Sequence, residues 1–367
     1  MRTTALVLSA ACLACLALEH ADVGQAAQGT VAAGKDLPAG LRLGVGDQWQ
    51  PGVRSALYSP DGRTLVTAGA DIRFWDLRSR RLLRTIQPDQ DRGINWMRLS
   101  ANGKALCILT LDSAVVGYDF ASGKQLFRIA AQGVQFAAFD ISVDGAVLAT
   151  GTCKNEMILW NTATQMKVRT IEGDRSMLKK MQADGNALQG IEQPVGVIAL
   201  SPDGKSLAAV ALYDWTVRVY NVTTGRQQHA FPTNNFSYCG HAQFSPDGAY
   251  LAATRFTGPG QREGEEVITI WDLATGKQHQ QFQEGAFFGF AMSPDWKWIA
   301  ADGAKGELHV LERATGKRRS SVASHPNIGN YSLAFSPDGE NLVACTGTSS
   351  LILWDLRTGR DALAVGK

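Results

Sequence analysis

VRSALYSPDGRTLVTAG, residues 53–69, is the stretch that decides the fold. An apolar run ends in a four-residue turn, and a second apolar run follows. In the turn Pro60 presets φ, Asp61 hydrogen-bonds its own backbone and Gly62 accepts φ > 0. Two short β-rich runs around such a turn read as a hairpin. The letters SPDG return at 201, 245 and 336, and altered copies stand at 100 (SANG), 142 (SVDG) and 293 (SPDW).

The turn serines at 59, 100, 142, 201, 245, 293 and 336 are 41, 42, 59, 44, 48 and 43 residues apart. A period near 40–45 residues with strand-like content is the mark of a β-propeller. Each unit reads alike. The hairpin is followed by a third, aromatic-tipped strand (IRFWDL, VVGYDF, MILWNT, ITIWDL, LILWDL), a short turn (ASGK, TTGR, ATGK, RTGR) and a more polar fourth strand such as RLLRTIQ. One such sheet has two faces and buries neither alone; seven placed radially cover each other and leave short, protected edges. The expectation is an all-β, seven-bladed β-propeller of four-stranded antiparallel blades.

These residues resemble bacterial WD40-repeat proteins. The resemblance rests on Trp75-Asp76, Trp271-Asp272 and Trp354-Asp355, on the weaker Tyr118-Asp119, Trp160-Asn161 and Tyr220-Asn221, and on both sets of turns, over residues 41 to 366. It implies an internal hydrogen-bond network fed by an Asp in the second loop, where Asp71, Asp112, Asn155 and Asp214 stand. The family's Gly-His dipeptide is largely missing: Gly240-His241 lies close to its turn, and His325 stands alone. Incomplete networks are therefore expected, with packing carrying more of the stability. The family's usual closure implies that LRLGVG (41–46) supplies the outer strand of blade seven, although DALAV (361–365) fits the same place.

Composition bounds the partners. With 36 Lys+Arg against 34 Asp+Glu, the formal charge of +2 gives no electrostatic case for nucleic acid or an anionic membrane. After Arg2 comes an uncharged stretch from Ala5 to Leu18, then small residues. The pattern is that of an export signal, too short for a comfortable membrane span. We assign 1–26 to a signal peptide cleaved after Ala26, 27–40 to a linker and 41–367 to one propeller, monomeric, in a periplasmic or extracellular location. Neither Cys12 nor Cys15 has leucine three residues before it, so lipidation is not expected. Cys107, Cys153, Cys239 and Cys345 fall in different units and read as small buried thiols rather than disulfides.

Along a propeller the two loop sets fall on opposite faces. The SPDG and TGK/R turns share one. The second-to-third strand loops and the blade connections share the other, which carries both long insertions, 172–193 and 255–266. Insertions on one face of a repeat protein mark its binding side. The expected partner-binding residues are Met177, Lys179, Lys180 and Met181 in a short helical segment, with Trp215, Arg255, Phe256 and Arg262. Trp96, Phe136, Tyr238, Phe288 and Tyr331 stand before first strands, where they either ring the channel mouth or pack between blades. The basic and acidic residues of the turn face alternate in sign and read as a solvated rim.

The five histidines after residue 26 show no metal-ligand spacing, and no nucleophile elbow, phosphate loop or dinucleotide fingerprint appears. No catalytic residue, cofactor or metal is expected. The function this supports is a non-enzymatic scaffold that binds a protein or peptide, not nucleic acid, through the insertion face. The alternatives are a hydrolase or lyase with its site in the central channel, and a structural cell-envelope component.

Overall fold

The computed structural model describes residues 53–88, 93–183, 192–212, 214, 216–233, 241–255, 267–283, 290–302, 308–322, 332–345, 351–357 and 360–361. The assigned signal, the linker and the segment 41–46 lie outside these residues. Among the described residues, twenty-eight strands, numbered β1 to β28 along the chain, form seven antiparallel sheets of four, each in sequence order. The seven-bladed expectation is met. First strands of adjacent blades touch one another, which puts them innermost, around the axis.

Packing follows from strand periodicity. In β6 (Ala105–Thr110) every residue is buried. Leu106 and Ile108 join a cluster with Val66, Ile72 and Phe74 of blade one, while Cys107 and Leu109 join one with Phe136 and Phe139 of blade three. A period of two thus feeds alternate side chains to two neighbours. Seven apolar clusters result, one between each pair of adjacent blades. At one seam the backbones come very close: a Cβ on Gly151 of β10 (Val147–Thr152) would lie 2.5 Å from the Val195 carbonyl of blade four.

Closure departs from expectation. The outer place of blade seven belongs to β28 (Arg360–Asp361), paired with β27 (Leu351–Asp355) through Trp354↔Asp361 and Asp355↔Arg360. A segment just beyond β27 loses far less loop entropy on pairing than one at the far end of the chain. Among the described residues, blades one and seven are joined by packing. Val53, Ala56, Tyr58, Leu65 and Trp75 share a cluster with Val343, Cys345, Leu351 and Leu353. Ser332 Oγ also lies 3.5 Å from the Ala56 N–H and 3.3 Å from its carbonyl.

The repeated turn has one construction in all seven blades. The serine hydroxyl donates to the Asp or Asn two residues on at 2.5–2.7 Å. That side chain accepts the N–H two residues further, and the serine oxygen accepts the N–H that opens the second strand. The fourth residue is left-handed, with φ between 69° and 78° at the six glycines. Blade six puts Trp296 there at φ 58°. Its indole is buried and stacks over Tyr250 with ring centroids 6.5 Å apart. Burying so large a side chain offsets a left-handed cost on the order of 1–2 kcal/mol.

Candidate functional site

The insertion after blade three is held by side chains at both ends. Following β12 (Lys167–Glu172), Asp174 accepts the Ser176 N–H at 2.8 Å, at the start of helix α1 (Ser176–Ala183). The other Asp174 oxygen meets Arg218 at 2.9 Å. Arg218 lies on β15 (Thr216–Asn221), and its guanidinium also grips Asp214 at 2.7 and 2.8 Å. The hydrogen bonds and charge of Asp214, then Asp174, raise the Arg218 pKa further. The Ser176 N–H first, and the arginine charge after it, hold Asp174 below the usual carboxylate range.

Asn155 closes the other end. Its Nδ2 donates to the Asp174 carbonyl and to Gln193 Oε1, each at 3.0 Å. Gly173 is required here, because a Cβ at that position would lie 2.0 Å from Asn155 Oδ1. The helix therefore projects from a fixed base. Leu178 is buried, Met177 half-buried, and Lys179 and Lys180 are exposed.

Of the eight sequence-derived candidates, the structure brings Met177, Lys179 and Lys180 together on α1, which also carries Met181, whose side chain lies outside the described residues. Arg255 ends β18 (Tyr250–Arg255) opposite Val267; its side chain, and Trp215, Phe256 and Arg262, also lie outside them. Trp96 and Phe136 belong to the core between blades two and three rather than to an open channel mouth; Tyr238, Phe288 and Tyr331 fall outside the described residues.

The second-loop carboxylates make arginine pairs. Asp71 meets Arg73 at 3.1 Å and Asp112 meets Arg128 at 2.7 Å, in addition to Asp214 with Arg218. Two third-strand indoles donate to second-strand threonines, Trp75 Nε1 to Thr67 Oγ1 at 3.0 Å and Trp160 Nε1 to Thr150 Oγ1 at 2.9 Å. A cavity of ≈ 210 Å³ beside Asp112 and Arg128 is smaller than sites for drug-sized ligands.

In the channel, sequence reasoning missed a polar group. Asp140 of β9 (Phe136–Ile141) accepts the Leu200 N–H of blade four at 2.7 Å and the Ile141 N–H at 2.9 Å. Arg98 of β5 (Ile94–Leu99) lies 3.9 Å away. Burial raises the Asp140 pKa and lowers that of Arg98. His241, before β17 (Ala242–Phe244), is pushed down to about 3 by burial and then by the Arg98 charge, so it is neutral. Gln243 accepts the Met292 N–H of blade six at 3.2 Å. A signal existed: Arg98, Asp140 and Gln243 each stand two residues before a turn serine.

The cysteines split. Cys107 and Cys345 are buried free thiols, as expected. Cys153 is disulfide-bonded, which corrects the thiol reading. Sequence spacing between units says little about distance across a ring. Among the described residues no cluster of three His, Cys, Asp or Glu is placed to hold a metal, and no helix is long and apolar enough to cross a membrane.

Comparison with known proteins agrees with this architecture. A family model described as WD domain, G-beta repeat, matches residues 316–355. The fold is a WD40-type β-propeller. Periodic tryptophan protein 2 of Arabidopsis thaliana is 25% identical over 61% of this chain and 22% of its own length. A WD repeat-containing protein, SL1-17 of Schistosoma mansoni, is 24% identical over 58% of this chain and 62% of its own. The chain thus spans less than two thirds of these relatives. A solved chain of Kuenenia stuttgartiensis hydrazine synthase superimposes with a TM-score of 0.65 at 18% identity, over 83% of this chain and 96% of that chain, a likeness of fold alone.

Proposed function

We propose that this propeller is a non-enzymatic scaffold that captures a protein or peptide on its insertion-bearing face. The observation that carries the reading is the anchored base of α1. The insertion that carries the helix is tied through Asp174, Arg218 and Asn155 just before α1 and through Gln193 at its far end, so the base that presents Lys179 and Lys180 has little further entropy to lose on binding. The carboxylates of the repeat turns, on the opposite rim, are engaged with their own turn serines and backbone. The reading includes export. The apolar stretch from Ala5 to Leu18 supports it, and so does a disulfide at Cys153, a bond that persists in oxidising compartments.

The test is capture with cross-linking from a periplasmic or extracellular fraction, comparing the parent chain with the K179E/K180E double variant. Loss of a captured protein from the variant, with its thermal unfolding unchanged, is the expected outcome. Equal capture by both chains would overturn the assignment of this face.

A further inference from the structure

Arg98, Asp140 and Gln243 share one repeat register on innermost strands, so they line one rung of the channel. The acceptors of this rung are already used. Asp140 takes one backbone N–H on each oxygen, and Gln243 Oε1 takes the Met292 N–H. Because Oε1 must be the atom facing an N–H, the two Nε2 hydrogens of Gln243 are the end without an acceptor among the described residues.

The donors of the rung are in surplus. The Arg98 guanidinium, its side chain 31% exposed, stands 3.9 Å from the nearest Asp140 oxygen, beyond hydrogen-bonding distance. It also lies over the Trp96 ring, 4.9 Å from the centroid. A guanidinium is a planar fork of five N–H donors that matches the two oxygens of a carboxylate. Asp140 does not fill that fork, because backbone N–H groups from two blades draw its oxygens away.

We propose that this rung is a binding site for a small carboxylate, anchored on the Arg98 guanidinium. The site lies on the axis, away from α1, and does not depend on the scaffold reading.

The experiment is nuclear magnetic resonance of the full chain at neutral pH. The Arg98 Nε–H and His241 ring signals are followed as sodium acetate replaces sodium chloride at constant ionic strength. A saturable shift of both signals is expected. Loss of charge-assisted hydrogen bonds in R98Q should weaken acetate binding roughly tenfold or more. R98K keeps a charge beside Asp140 while losing the fork; it guards against misfolding of R98Q and should bind measurably more weakly than the parent. A response that does not saturate, or an acetate affinity unchanged in R98K, would overturn the site.

Discussion

Asp203 and Asp140 are the same amino acid in two kinds of place. Asp203 sits in a turn on the rim and serves residues within two positions of itself, the Ser201 hydroxyl at 2.6 Å and the Lys205 N–H at 3.0 Å. Asp140 faces the axis and serves Leu200, sixty residues away in another blade. Hydrogen bonds hold the turn carboxylate below its usual pKa, with that from Ser201 first; burial pushes the axial one above. A carboxylate that works locally is stabilised as an anion by the motif that contains it. One that works across a seam carries a desolvation cost that its motif does not reveal.

Removal should separate the two. D140A leaves the Leu200 and Ile141 N–H groups unpaired and Arg98 without a counter-charge, and should cost about 3–5 kcal/mol in urea unfolding. D203A removes two partly exposed hydrogen bonds and should cost about 1–2 kcal/mol in the same assay. Equal losses would erase the distinction between rim and axis.

Asparagine sharpens it further. Blade two already uses Asn102 in the turn, accepting from Ser100 Oγ at 2.7 Å and the Lys104 N–H at 3.0 Å. D203N should therefore stay within about 0.5 kcal/mol of the parent at pH 7. The remaining difference lies in pH. Asp61, Asp144, Asp203 and Asp247 all titrate below the ordinary carboxylate value, chiefly through their serine hydroxyls. Their contribution is present above the unfolded value of about 3.9 and drains as pH falls through each folded value. The urea midpoint of the parent should drop on acidification below about pH 4, and by slightly less in D203N. Identical pH slopes would mean that the turn charge contributes nothing.

Much of the fold was legible because its signals are local and repeated. Pro60, Asp61 and Gly62 state a turn within four letters, and recurrence at 100, 142, 201, 245, 293 and 336 states the blade count. Trp296 shows the limit of such reading: the turn lost its glycine and kept its left-handed backbone, because the indole finds a buried place against blade five. The anchoring of 172–193 was only half visible. Lys179 and Lys180 could be named as exposed, but Arg218, which fixes their base, lies in a strand of the next blade.

What the sequence determined by itself is therefore the hairpin, its sevenfold repetition and the alternation that feeds two neighbours from one strand. Each of these depends on residues close in the chain. Tertiary structure alone decided which segment completes blade seven, that Cys153 is bonded, and that Asp140, Arg98 and Gln243 share a rung. Those outcomes depend on distances across a closed ring, where residues far apart in sequence become neighbours and burial sets the strength of their charges.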